Sequence, residues 1–208
     1  MSAVSTARAR YHHGNLRATL LASAERLLAE VGPAELSLRE LARQAGVSHG
    51  APRQHFPDKR ALLDALAVVG FERLGAELDT ALDTALGEGT GPFAARLEVF
   101  AHAWVGFAIA HPALLELMFA SKNRPAAAEL RAVADRAFAR PSAMITEAQR
   151  NGEITGGAEP DSDRVAMAIF ATLQGLAALI TSGMSGDRPV SALVGDTIRT
   201  LVDGLRPR

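Results

Sequence analysis

Residues 37–56, SLRELARQAGVSHGAPRQHF, predict two short helices joined by a tight turn. Leu38, Leu41 and Ala42 have the i, i+3, i+4 spacing that places apolar side chains on one face of a helix. Gly46 can take the left-handed backbone conformation that ends such a helix. The stretch therefore predicts a helix-turn-helix.

Three side chains mark where these two helices begin. Ser37 followed by Glu40 is a capping-box pattern, and Ser48 can cap the second helix. A helix-turn-helix of this kind lays its second helix in the major groove of DNA. An ordinary helical hairpin inside an all-α core is the alternative for this stretch alone.

The composition favours an all-α protein of one large or two small domains. The 208 residues are rich in Ala and Leu, and only 5% of them are aromatic. The chain contains no cysteine, which excludes disulfides, cysteine nucleophiles and thiolate metal sites and fits a reducing, cytoplasmic location. The first residues, MSAVSTARARYHHG, lack an apolar segment, so no secretory signal is expected.

Charge is divided unevenly along the chain. Residues 1–60 hold nine Lys and Arg against five Asp and Glu, whereas residues 61–208 hold thirteen against eighteen. A basic head on an acidic body is expected of a protein whose head meets phosphate groups, although a difference of this size also arises by chance.

Apolar residues at helical spacing predict about nine helices, three in a head and the rest in a body. A flexible polar arm is expected at residues 1–11 and a first helix at about 16–31. A long helix at about 59–86 joins the head to the body. Another helix is expected at about 125–150, with a kink at Pro141.

Val165–Met184 contains no charged residue over a length close to that of a membrane span. Thr172, Gln174 and Gly175 lower its hydropathy, and no basic cluster flanks it. We therefore expect a helix buried within the protein or against a partner chain, and not a membrane helix.

The block from Tyr11 to Leu66 resembles the N-terminal domain of the tetracycline-repressor (TetR) family of transcriptional regulators. Three motifs carry the resemblance, in the family's order and spacing: LLASAERLLAEVG, SLRELARQAGVS and HFPDKRALL. The resemblance implies a helix-turn-helix DNA-binding domain at residues 12–60. A helical ligand-binding and dimerisation domain is then expected at residues 61–208.

The body resembles the family's WHG type of C-terminal domain, through AHPALLELMF and through Leu173–Leu176. Phe170 and Gln174 stand where that type usually has a Trp and a His before the Gly. In the head, Arg53 stands where the family usually has an aromatic residue, commonly Tyr, against the DNA backbone. An Arg can contact phosphate with full charge and five donors, so the salt dependence of DNA binding should be steeper.

The predicted DNA-binding residues lie in the helix-turn-helix and just after it. His49, Gly50 and Ala51 are expected at the N-terminal end of the second helix, where base edges are reached. Phosphate contacts position the motif, and base contacts give it specificity. The full set is Ser37, Arg39, Ser48, His49, Gly50, Ala51, Arg53, Gln54, His55 and Lys59.

His12 and His13 are adjacent residues with no further ligand nearby in sequence, so we expect neither a metal site nor any cofactor. The family resemblance instead places this segment beside the DNA backbone.

A ligand pocket is expected in the body, because large aromatic residues with a few polar or adaptable side chains suit a small, largely hydrophobic molecule. For each residue, an ordinary place in the core is the alternative. The predicted lining is Phe100, Trp104, Phe107, His111, Met118, Met144, Met167, Phe170 and Gln174.

A homodimer interface is expected on the last two helices, where small residues allow close helix approach. Two helices from each chain would form a four-helix bundle about a twofold axis, which requires an operator of two inverted half-sites. The alternative is that both helices close the core of one chain. The predicted interface is Ala168, Ala171, Gly175, Ala178, Val194, Ile198 and Leu201.

These features favour a transcriptional repressor that binds a pseudo-palindromic operator and is released by an effector molecule. The first alternative is a DNA-binding activator or architectural regulator without a ligand. A remote alternative is an all-α enzyme using His102 and His111, but the sequence offers no nucleophile elbow, metal-ligand spacing or phosphate loop. We therefore do not expect an enzyme.

Overall fold

The computed structural model describes residues 3–86, 91–124, 127–155 and 162–206. Within these ranges the chain forms ten α-helices and no strand, which confirms the predicted all-α fold. The helices are α1 (Ala3–Glu35), α2 (Leu38–Gln44), α3 (Ala51–His55), α4 (Lys59–Leu86), α5 (Phe93–Ala110), α6 (Pro112–Lys122), α7 (Ala128–Ala137), α8 (Ala139–Arg150), α9 (Ser162–Thr181) and α10 (Val190–Leu205).

The first helix is longer than predicted. It begins at Ala3, so residues expected to form a flexible arm belong to α1. Near its other end Gly32 has a φ of 73° and interrupts the helical backbone just before Pro33. The side chains of His12 and His13 lie outside the described part of the chain.

The predicted helix over 125–150 is instead two helices. α7 ends at Ala137 and α8 begins at Ala139, with Phe138 between them. Pro141 lies in the first turn of α8, where the missing backbone N–H has no helical partner to lose. The kink predicted at Pro141 is therefore wrong, because the chain breaks before the proline.

Contacts divide the chain into two compact units. The first comprises residues 1–70 and 112–131, and in it α1 packs against α2, α3 and α6. This unit extends beyond the predicted DNA-binding domain, since it includes the first part of α4 and the whole of α6. Its core is formed by apolar side chains from most of its helices, including Leu20, Leu27, Leu41, Phe56, Leu62 and Met118.

The second unit comprises residues 71–111 and 132–208, and α5 lies at its centre. This helix packs against α8, α9 and α10. Arg96 is 8% exposed, and its guanidinium ties α5 to the α8 region, because it lies 2.6 Å from the Glu147 carboxylate and 3.6 Å from that of Glu153. Glu153 also accepts a hydrogen bond from the backbone N–H of Phe93. These polar contacts fix the N-terminal turn of α5.

Among the residues that the structure describes, two helices are long and apolar enough to span a membrane, but they differ in burial. Half of α5 is buried inside the protein, as expected of a core helix. Only 28% of the apolar window of α9 is buried, so a single chain leaves one side of that helix exposed to solvent.

Candidate nucleic-acid interface

Helix α2 begins and ends as its sequence predicts. The Ser37 hydroxyl oxygen accepts a hydrogen bond from the Glu40 backbone N–H at 3.2 Å, which confirms the N-cap. The Glu40 carboxylate does not complete the capping box, because it pairs with the Arg43 guanidinium. Hydrogen bonding from Arg43 holds the pKa of Glu40 below its ordinary value.

The turn after α2 is a Schellman motif. Gly46 has a φ of 67°, as its place in the sequence predicts. The Val47 N–H donates to the Ala42 carbonyl at 3.0 Å, and the Gly46 N–H donates to the Arg43 carbonyl at 3.3 Å. These two bonds satisfy carbonyl groups at the end of α2 and set the direction in which the chain enters α3.

Helix α3 starts later than predicted. Its N-cap is Gly50, and the Ser48 carbonyl accepts the Ala51 N–H at 3.0 Å in a turn ahead of the helix. The prediction that Ser48 caps the second helix is therefore wrong. His49 lies in the same turn, so it precedes the helix and is not on it.

The predicted DNA-binding residues fall into an exposed and a half-buried set. Ser37, Ala51, His55 and Lys59 are half-buried. The remaining six are exposed: Arg39, Ser48, His49, Gly50, Arg53 and Gln54. Five of these six lie between residues 48 and 54, so the turn and α3 expose donors, acceptors and the positive charge of Arg53.

Lys59 has a structural partner. Its ammonium group donates to the Ala34 carbonyl oxygen at 2.5 Å, which ties the first residue of α4 to the end of α1. Phe56, which ends α3, is 2% exposed and packs in the core. Both contacts hold the helix-turn-helix against α1, and the phosphate contact by Lys59 stays a prediction.

The predicted pocket residues differ in unit and in burial. Met118 belongs to the first unit and the other eight to the second. Met167 is 65% exposed and Gln174 is also exposed on α9, whereas His111 and Phe170 are half-buried. The remaining four, all in the second unit, are buried: Phe100, Trp104, Phe107 and Met144.

Trp104 is the centre of a packed aromatic cluster in the second unit. Its ring centre lies 6.4 Å from Phe100, 5.8 Å from Phe138 and 5.5 Å from Phe170. Beside this cluster, the Phe107 ring lies 5.0 Å from His111 and carries the Arg73 guanidinium over its face at 5.4 Å. Phe138 is not among the predicted pocket residues.

An open groove of about 780 Å³ lies between the later part of α4 and α5. None of the nine predicted pocket residues lines it. Its wall is mostly small and apolar, with a few polar groups: Arg73, Ala76, Glu77, Thr80, Ala81, Thr84, Ala85, Val99, His102 and Ala103. Among the described residues, no group of three or more His, Asp or Glu side chains is placed to hold a metal ion.

The predicted dimer residues divide by helix. Ala168, Ala171, Gly175 and Ala178 are all exposed on α9. On α10, Leu201 is half-buried.

Val194 and Ile198 are 0% and 2% exposed, so they pack inside their own chain. The apolar stripe of α10 that carries these two residues covers the core around α5, which removes them from the predicted interface.

The geometry of residues 37–56 defines a DNA-binding protein of the helix-turn-helix class. Two family models match the chain: bacterial regulatory proteins of the tetR family over residues 20–66, and the tetracyclin repressor-like C-terminal domain over residues 97–205. The chain belongs to the TetR family, and it is a DNA-binding transcription regulator. The alternative of an enzyme using His102 and His111 is therefore wrong.

Solved structures share this fold. A protein of unknown function from Rhodococcus sp. RHA1 is 43% identical, with a TM-score of 0.82 over 95% of this chain and 98% of its own. A TetR family transcription regulator from Marinobacter aquaeolei is 15% identical, with a TM-score of 0.77 over 96% of this chain and 100% of its own. PfmR, a TetR family transcriptional regulator from Thermus thermophilus, is 20% identical, with a TM-score of 0.67 over 90% of this chain and 99% of its own. No curated protein sequence matches the chain.

Proposed function

We propose that this regulator is a homodimeric repressor. It binds an operator made of two inverted half-sites, and a small, largely hydrophobic effector releases it. The observation that carries the proposal is the exposed apolar face of α9.

That face has the composition of a helix interface. No charged residue lies between Arg164 and Asp187. Val165, Ile169 and Leu173 face the core of the chain, while the exposed positions after Arg164 carry small residues, Gln174 and the large apolar side chains of Met167 and Leu179. Apolar surface of this extent in water favours association, because burying it stabilises the assembly by about 25 cal/mol per Å² before the costs of association.

The composition of this face favours a second copy of the chain as its partner. Small residues at three- and four-residue intervals let two identical helices approach closely about a twofold axis. A groove of about 580 Å³ between α9 and α10 continues the surface and includes Thr172, Thr197 and Leu201. A twofold dimer carries two helix-turn-helix heads, and two such heads match two inverted half-sites.

The effector is assigned to the second unit. The groove between α4 and α5 is lined by alanine, valine and threonine, with Arg73, Glu77 and His102 as its charged or titratable groups. Such a wall suits a mainly apolar molecule with one or two polar atoms. An effector that binds more tightly to the DNA-free than to the DNA-bound conformation would lower operator affinity.

A regulator without an effector, acting as an activator or an architectural protein, is the second candidate function. The packing of Phe100, Phe138 and Phe170 around Trp104 favours it, because Phe100, Trp104 and Phe170, which are predicted to line a pocket, contact aromatic rings instead.

Light scattering at a series of protein concentrations tests the dimer. The wild type should have the molar mass of two chains. Ala171→Glu places a charge on the exposed face of α9, so this variant should have the molar mass of one chain. Ala132→Glu is the matched control, since Ala132 is also exposed in the second unit but lies on α7. A monomeric wild type, or a dimer that tolerates Ala171→Glu, would contradict the proposed interface.

Footprinting across a salt series tests the operator, beginning with the DNA upstream of the protein's own coding region. A protected inverted repeat supports the dimeric repressor and provides an assay for effectors. Protection of a single half-site by a dimeric protein would contradict an inverted-repeat operator.

A further inference from the structure

One arginine of α1 lies beside the end of α3, the second helix of the helix-turn-helix. Arg17 is exposed, and its guanidinium carbon lies 5.4 Å from the centre of the Phe56 ring. Phe56 is the C-terminal cap of α3 and is 2% exposed, so its position is fixed by the core. A positive charge is therefore held at the end of α3 by a cation–π contact.

Arg17 differs from other arginines of the first unit in the partners of its guanidinium N–H groups. Arg43 pairs with Glu40, and Arg124 pairs with Asp64. Within the described part of the chain, no carboxylate pairs with Arg17. A guanidinium that uses its face on a ring keeps its N–H groups at the edge available, and the contact reduces the side-chain entropy that a new hydrogen bond must overcome.

We propose that Arg17 is a DNA phosphate-contact residue, positioned by Phe56. The surface that it joins is already basic or polar: α3 contains no acidic residue, and Arg53 and Gln54 are exposed on it. DNA that accepts α3 in its major groove brings the phosphates bordering that groove close to the ends of the helix. The inference rests on DNA binding alone, and it holds for a repressor or an activator.

A purely structural role is the competing explanation, since Arg17 also shields the Phe56 ring from water. The two roles predict different salt dependences. Each phosphate contact adds about 0.9 to the slope of log K against log[salt], whereas a packing contact adds nothing.

The test compares Arg17→Gln, Arg17→Lys and the control Arg26→Gln in the full-length protein. Arg26 is exposed on the same helix and donates a hydrogen bond to the Ser23 hydroxyl at 3.0 Å. It follows Arg17 by nine residues, or two and a half turns, so it lies on the opposite side of α1. The control removes the same charge. The probe is a mixed-sequence duplex, because phosphate contacts carry no base information.

We expect Arg17→Gln to lower the slope by about 0.9. The ratio of the wild-type to the variant DNA-binding constant should therefore fall about 3.5-fold between about 50 and 200 mM salt. Arg17→Lys should keep the slope, and Arg26→Gln should leave it unchanged. Thermal denaturation of each variant is measured in parallel. A wild-type slope for Arg17→Gln, or an equal fall for Arg26→Gln, would overturn the assignment whatever the change in stability.

Discussion

Gly70 of α4 and Met118 of α6 lie so close together that a Cβ on the glycine would stand 2.6 Å from the methionine sulfur and 2.9 Å from its Cγ. Met118 is fully buried, so its side chain has little room to move. The glycine therefore lets two helices of the first unit pack closely.

Gly70→Ala should lower the free energy of unfolding by about 1–3 kcal/mol, because an added methyl group overpacks this contact. Gly106→Ala is the control: a Cβ there meets no atom within 4 Å, so the substitution should be neutral or stabilise by about 0.5–1 kcal/mol. Urea denaturation measures both. Equal stabilities for the two variants would show that the contact tolerates a side chain.

Ser37 has a folding role and a predicted DNA role, which two substitutions separate. Ser37→Ala removes the cap on the Glu40 N–H and should cost about 1 kcal/mol of stability. Ser37→Asp keeps a capping oxygen, so stability should stay near wild type, but its negative charge should weaken DNA binding. Denaturation and duplex titration read the two roles. Unchanged DNA affinity for Ser37→Asp would rule out a phosphate beside Ser37.

Arg53 and Gln54 are adjacent, exposed residues of α3 that differ in charge. Arg53→Ala should lower the salt slope by about 0.9, whereas Gln54→Ala should leave the slope unchanged and reduce discrimination between operator and mixed sequence by about 1–3 kcal/mol. Both side chains are exposed, so stability should change by less than about 0.5 kcal/mol. A slope that falls only for Gln54→Ala would reverse the two assignments.

Gly46 and Gly50 lie on either side of the turn, and only Gly46 has a positive φ. A Cβ at either position meets no atom within 4 Å. Gly46→Ala should therefore destabilise the protein by about 1 kcal/mol through backbone strain, with Gly46→Asn milder. Gly50→Ala should leave stability unchanged and weaken binding to an operator, since the added methyl group obstructs close approach to DNA. Loss of stability at Gly50 alone would contradict this division.

The start and end of α2 could be predicted from the sequence, because a cap depends on atoms a few residues apart. Ser37 caps the helix, and Gly46 ends it. The start of α3 differs from the prediction by two residues, because its N-cap is Gly50 and not Ser48. Ser48 has the side chain of a cap, but its carbonyl forms a turn with Ala51 first, and this preference depends on the conformation of the preceding loop.

Long-range packing could not be predicted from the same patterns. The stripe containing Val194 and Ile198 would be apolar whether it packed in its own core or against a second chain. It packs in its own core because α5 lies against it. Residue type alone predicts Met167 and Gln174 in a pocket, yet both are exposed to solvent on α9. Periodicity identifies an apolar face without saying what covers it.

The inclusion of α6 in the first unit has a consequence for biosynthesis. α6 packs on α1, but residues 71–111, which belong to the second unit, are translated between them. At about 5–20 residues per second, the ribosome releases the helix-turn-helix several seconds before the helix that completes its core. A nascent chain therefore carries the DNA-reading motif before that motif is fully supported, and a fragment ending at residue 70 would remain in that incomplete state.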